Sequence, residues 1–139
     1  MPFVLDASMT MSWCFADEST PYSRSVLALL LGSYAEVPAL WPFEIANVLA
    51  INEKRRRISD AVSDEFLQTL SGLDIRIDKS SRAVDGNTLL PLTRRYGLTA
   101  YDAAYLELAK RKQLPLASFD KELIKAAAQE GIALIGQSS

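Results

Sequence analysis

The sequence predicts an α/β protein whose parallel sheet is covered on both faces. Short apolar runs of strand length alternate with longer stretches of helical period. Most of the short runs are apolar throughout, as strands buried on both faces are. No linker, repeat or low-complexity tract breaks the pattern, so residues 1–139 read as one domain of ordinary size.

Phe3, Val4 and Leu5 form the first strand, which ends at Asp6. Thr20 caps a helix that Pro21 opens and Gly32 closes, with Val26, Leu27, Leu30 and Leu31 as its apolar stripe. Val37 to Trp41 is a second strand, with Pro38 suited to its beginning rather than its middle. Pro42 opens a helix bearing Ile45, Val48, Leu49 and Asn52, and Lys54 to Arg57 lie near its carboxyl end, where the dipole favours cations. Ser59 caps a third helix to about Gly72, with Val62, Phe66, Leu67 and Leu70 facing inward. Ile75 and Ile77 alternate with Arg76 as a third strand. Ser80 to Tyr96 is mostly helical, interrupted at Gly86 and Pro91. Thr99 caps a strong helix to about Lys112, and Leu114, Leu116 and Ala117 around Pro115 give a fourth strand. Asp120 starts another helix, and Ile132 to Ile135 is a fifth strand.

Composition narrows the chemistry. A chain of this length buries enough surface to fold without a disulfide or structural metal, and Cys14, the one cysteine, has no partner for an internal bridge. The amino-terminal MPFVLDASMT has an acid within its apolar run and no basic leader. No apolar run approaches the roughly 20 residues of a membrane span, so no membrane association and a cytoplasmic location are expected. The net charge of −2 argues mildly against holding nucleic acid by charge alone. The chain has no histidine. That excludes histidine general acid–base work, Ser-His-Asp and Cys-His catalysis, and histidine-ligated zinc. Hydrolysis must rest on carboxylates, hydroxyls, the lone thiol or a metal held by oxygen.

Four acids stand at informative places. Asp6 follows the first strand, Glu44 lies in the first turn after the second, Asp102 in the first turn of the Thr99 helix, and Asp120 just beyond the fourth strand. In open parallel sheets, ligands bind outside the carboxyl ends of the strands, where strand order reverses. Each acid except Asp6 also has a local explanation. Thr99 with Asp102 has the spacing of a capping box, Asp120 is a natural helix cap, and Glu44 is favourable first-turn charge. Asp6 is harder to dismiss, because a lone buried carboxylate is costly. If the four converge, their repulsion calls for cations, and Mg²⁺ or Mn²⁺ suits such hard oxygen ligands. Phosphodiester hydrolysis is the matching chemistry.

The segments FVLDASMTMSWCF, WPFEIANVL and LTAYDAAYLELAKRKQLPLASFDKELIKAA together resemble the PIN-domain ribonucleases, above all the VapC toxins of bacterial and archaeal toxin–antitoxin pairs. The likeness runs from Phe3 to about Ile135 and is weak between Asp60 and Leu92. It implies a three-layer α/β/α sandwich around a five-stranded parallel sheet, and metal-dependent endonucleolytic cleavage of RNA. Asp6, Glu44, Asp102 and Asp120 match the family's acidic positions and would be the catalytic metal ligands for Mg²⁺ or Mn²⁺. Ser8 and Ser118 match small polar positions beside them and would orient a carboxylate or a bound water. The resemblance also implies a homodimer and a VapB-type antitoxin partner.

Lys54, Arg55, Arg56 and Arg57 are the densest basic run, either a solvated helix end or a contact for RNA phosphates. Arg94, Arg95, Lys110, Arg111 and Lys112 are further candidates. Trp13 and Trp41 sit in apolar surroundings that favour packing over base stacking, and Met9 to Phe15 is apolar enough to line a partner groove. Cys14 reads as a packing group, since no histidine activates it. Rival readings are a PIN-like nucleic-acid-binding or scaffold protein without catalysis, and a structure-specific DNA nuclease.

Overall fold

Phe3–Leu5 forms β1, every residue of it buried, and Asp6 caps the short helix α1 at Ala7–Met11. The structure is a computed structural model that describes residues 1–80 and 85–136. A 3₁₀ turn at Ala16–Glu18 leads to α2, Pro21–Leu29, started by Pro21 and by reciprocal bonds between Thr20 and Ser23. β2 is Ala35–Val37, two residues earlier than the sequence pattern suggests. Pro38 ends it rather than beginning it, and its carbonyl accepts from Trp41 N–H (3.0 Å) in the turn into α3, Trp41–Lys54. Ser59 caps α4, Asp60–Ser71, and β3 is Ile75–Ile77. Asp85 caps α5, Gly86–Tyr96, which begins at Gly86 and contains Pro91. The predicted helical stretch from Ser80 also covers residues 81–84, which lie outside the described residues.

Thr99 caps α6, Ala100–Lys112, in which every residue from Ala103 to Ala109 is buried. A helix buried almost all round belongs to the interior, and α6 packs on β1, α5 and α7. Its one buried acid in that run, Glu107, is met by Arg111 one turn on, at 2.6 Å. β4 is Leu116–Ala117, and Asp120 caps α7, Lys121–Gln129.

All strand pairs are parallel, in the order β3-β2-β1-β4. The sheet has four strands, not the expected five. The segment Ile132 to Ile135 keeps a single parallel bridge, Leu134 with Leu116, supported by Leu116 N–H to Ala133 O (2.9 Å) and Ile135 N–H to Leu116 O (2.8 Å). Gly131 and Gly136, both at positive φ, turn the backbone on either side and leave too little extended chain for a ladder.

From β1 the chain moves to β2 and β3 on one side, then crosses to place β4 on the other. The reversal therefore lies between β1 and β4. In this topology, the crevice beyond the carboxyl ends of that pair is where a ligand site is expected.

Candidate active site

Leu5 pairs with Ala117, so the next residue on each strand, Asp6 and Ser118, emerges at the same edge. Asp6 is almost wholly buried yet fully supported. It accepts from Met9 N–H at 2.9 Å, from the Ser8 hydroxyl at 2.9 Å, and from the Ser118 hydroxyl. Its own carbonyl accepts from Thr10 Oγ1 (2.8 Å), which in turn accepts from Trp41 Nε1 (3.1 Å). Burial pushes the Asp6 carboxyl up to about 6 against the pull of those donors, and the charge of Asp120 adds to the rise.

The two serines close the site from both strands. Ser8 Oγ accepts from Phe119 N–H (3.1 Å) and Ser118 Oγ from Asp120 N–H (2.9 Å). Each hydroxyl therefore both supports Asp6 and fixes the loop that carries Asp120. Asp120 caps α7 by accepting from Leu123 N–H through Oδ1 (3.0 Å), and Oδ2 has no protein donor among the described residues. Capping occupies one oxygen only, so the cap and site readings of this residue are compatible.

Asp102 stands in the first turn of α6, where Thr99 Oγ1 accepts its amide (3.1 Å). That is half of a capping box, and neither Asp102 carboxylate oxygen has a donor among the described residues. Burial raises its pKa, and the Asp120 charge raises it further. Glu44, half-buried in the first turn of α3, accepts from the Tyr105 hydroxyl at 2.5 Å. Burial raises its pKa too, with the Asp102 charge adding to the effect.

Asp6 and Asp102 thus each feel the charge of Asp120, and Glu44 that of Asp102. Among the described residues, none of the four forms an ion pair, although most of the chain's other buried or half-buried acids do. Nor do three acidic side chains, as placed, close into a ready ligand group among those residues.

The basic candidates divide. Lys54, Arg55 and Arg56 are exposed at the end of α3 opposite Glu44, about 15 Å along its axis. Arg57 is engaged by Asp17 (3.2 Å), by Asn52 Oδ1 (3.0 Å) and by the ring of Phe15. Arg94 and Arg95 lie in the last turn of α5, with Arg95 3.7 Å from Glu130. Lys110, Arg111 and Lys112 are tied to Glu130, to Asp78 and Glu107, and to Glu36. Trp13 and Trp41 are packed, their ring N–H groups donating to Ser23 O and Thr10 Oγ1.

Tyr105 and Thr10 belong to the site and escape the sequence reading. The signal for Tyr105 is its place one turn after Asp102 in a helix, together with the need of a buried tyrosine for a polar partner. Thr10 offers no comparable signal, since its role depends on Trp41.

No protein-family model matches the chain, and no curated protein matches it. Its fold is similar to the crystal structure of PAE2754 from Pyrobaculum aerophilum, with a TM-score of 0.69 and 18% identity over 91% of this chain and 84% of that one. At that identity the likeness speaks to the fold alone. No helix among the described residues is long and apolar enough to cross a membrane.

Proposed function

We propose that this chain is a metal-dependent endoribonuclease of the PIN type, the toxin of a VapBC-like pair, built as one three-layer α/β/α domain. The observation that carries the reading is the set of four carboxylates, Asp6 and Asp120 at the β1–β4 reversal and Asp102 and Glu44 in the first turns of α6 and α3, none of which has an ion-pair partner among the described residues. The surroundings of Asp6, Glu44 and Asp102 disfavour their charged forms, which a cation would offset, and carboxylate and hydroxyl oxygens suit Mg²⁺ or Mn²⁺.

Asp6, Glu44, Asp102 and Asp120 would hold the ion, while Ser8 and Ser118 keep Asp6 oriented and ionisable. When bound, the ion supplies Lewis acidity that makes water a nucleophile near neutral pH and offsets charge on the phosphate. The reaction is hydrolysis, in which water adds to phosphorus and a ribose oxygen leaves. No histidine base is needed. Lys54, Arg55 and Arg56, with Arg94 and Arg95, would attract RNA phosphates from positions outside the acidic edge.

A VapB-type antitoxin and a second copy of the chain are the partners this reading brings. Two apolar grooves of about 290 Å³ support it. One is lined by Trp13, Cys14 and Phe66, the other by Trp41, Leu67 and Ile77. A scaffold without catalysis is the second reading.

Cleavage of labelled total RNA by the purified chain, free of any partner, separates the two. Discrete products that need Mg²⁺ or Mn²⁺, disappear in EDTA and are missing with Asp6→Asn support the nuclease. A folded chain that neither cleaves RNA nor binds metal moves the weight to the scaffold, and metal-dependent cutting of DNA alone would make it a DNA nuclease.

A further inference from the structure

Tyr105 heads the wholly buried side chains among the described residues. Its hydroxyl meets Oε1 of Glu44 at 2.5 Å, 61 residues away in sequence. No other donor reaches the Glu44 carboxylate among the described residues, so Oε1 carries one hydrogen bond and Oε2 none. Asp102 lies one turn earlier on the same helix. One element therefore supplies a carboxylate and also the hydroxyl that holds its neighbour. The ring of Tyr105 is buried in the hydrophobic core, whose close packing keeps it from following a moving partner. The constraint falls on Glu44.

We propose that Tyr105 is a positioning residue that biases which divalent cations the site accepts, by holding the Glu44 carboxylate through Oε1 and presenting Oε2. The inference deepens the metal-hydrolase reading and rests on it. Mg²⁺ holds to octahedral geometry and takes a carboxylate comfortably through one oxygen, whereas Ca²⁺ gathers about six to eight oxygens and often takes both from one carboxylate. Mn²⁺ shares the octahedral preference for hard oxygen ligands. A hydrogen bond that competes for Oε1 disfavours two-oxygen coordination by Glu44 and so favours Mg²⁺ and Mn²⁺ over Ca²⁺.

The test is metal binding rather than turnover. Free Mn²⁺ is followed by electron paramagnetic resonance, with Ca²⁺ as competitor, for the full chain, Tyr105→Phe, Glu44→Gln and the double variant. Phenylalanine keeps the buried ring, and a thermal melt of each variant checks folding. Tyr105→Phe is expected to weaken Mn²⁺ binding by about 10-fold, the usual scale for losing a group that orients a ligand. Ca²⁺ binding should stay level or tighten, and the Tyr105→Phe effect should vanish once Glu44 is Gln. Should Tyr105→Phe fail to fold, Glu44→Asp draws the carboxylate back from the hydroxyl while keeping the ring of Tyr105 in place. It should produce the same fall in the Mn²⁺ to Ca²⁺ affinity ratio. Equal losses for both cations, or an unchanged loss in the Glu44→Gln background, overturn the role of Tyr105 and leave the metal site standing. A full chain that binds neither cation overturns both.

Discussion

The Ser118 hydroxyl donates to Oδ2 of Asp6 across the carboxyl ends of β1 and β4, joining residues 112 apart in sequence. The parallel register brings them together, and the same hydroxyl accepts the Asp120 amide. One small side chain thus ties the first acid of the site to the loop carrying the last.

Ser118→Ala should therefore destabilise the fold by about 1.5–3 kcal/mol, the range for hydrogen bonds to a charged group. The hydroxyl favours the ionised carboxylate, so its removal raises the Asp6 pKa further. The gap in melting temperature from the parent chain should be small near pH 4 and widest above about pH 6. A gap that narrows as pH rises would contradict this account.

Asp6 titrates near 6 in the fold against an ordinary 3.8, so folding favours its protonated form. That contribution is full below 3.8 and is lost as pH rises through about 6. At pH 8 the ionised carboxylate costs on the order of 3 kcal/mol relative to the low-pH state. Asp6→Asn is neutral throughout. It should melt higher than the parent at pH 8, lose the slope between about pH 4 and 6, and cleave no RNA. Calorimetry across that range measures the first two, and the RNA assay the third.

Cys14 is half-buried, and burial, with the Glu18 charge beside it, holds its thiol above the ordinary value. It should react slowly with iodoacetamide at pH 7. Cys14→Ser should leave the rate of RNA cleavage unchanged, and a large loss in a folded variant would reopen the thiol as a nucleophile.

Gln113 ends α6 in the left-handed region at φ 55°. Glycine adopts that conformation without a Cβ penalty, so Gln113→Gly should raise stability by up to about 1 kcal/mol. The denaturant midpoint should move up with an unchanged slope. A lower midpoint would mean that the glutamine side chain contributes packing that the backbone account omits.

Arg55 and Arg57 should separate stability from RNA binding. Arg57→Ala removes the donor to buried Asn52 and the contact with Phe15, and so should lower the melting temperature. Arg55→Ala should leave the melt unchanged and make the dependence of RNA affinity on salt shallower by about one in log–log slope. Identical salt slopes for Arg55→Ala and the parent would remove that residue from the RNA surface.

Much of the local structure was legible because its causes are local. Thr20, Ser59, Thr99 and Asp120 read as helix caps and are caps, since a capping bond spans only about three residues. Phe3 to Leu5 and Ile75 to Ile77 read as strands for similar reasons. Asp6, Glu44, Asp102 and Asp120 fell at element boundaries that hydrophobic period and cap chemistry locate unaided. The shift of β2 shows where this fails. Pro38 is compatible with either end of a strand, and only the turn into α3 decided which.

By itself, then, the sequence determined the alternation of elements, the caps and the absence of histidine chemistry. Tertiary structure decided the strand order β3-β2-β1-β4, and with it the meeting of Asp6 and Ser118. It reduced the fifth strand to one bridge, set Tyr105 against Glu44, and drew Lys110, Arg111 and Lys112 into ion pairs. The physical reason is range. Caps and periodicity act within a turn or two of chain, whereas these contacts join segments tens of residues apart, brought together only when the buried helix α6 packs on the sheet.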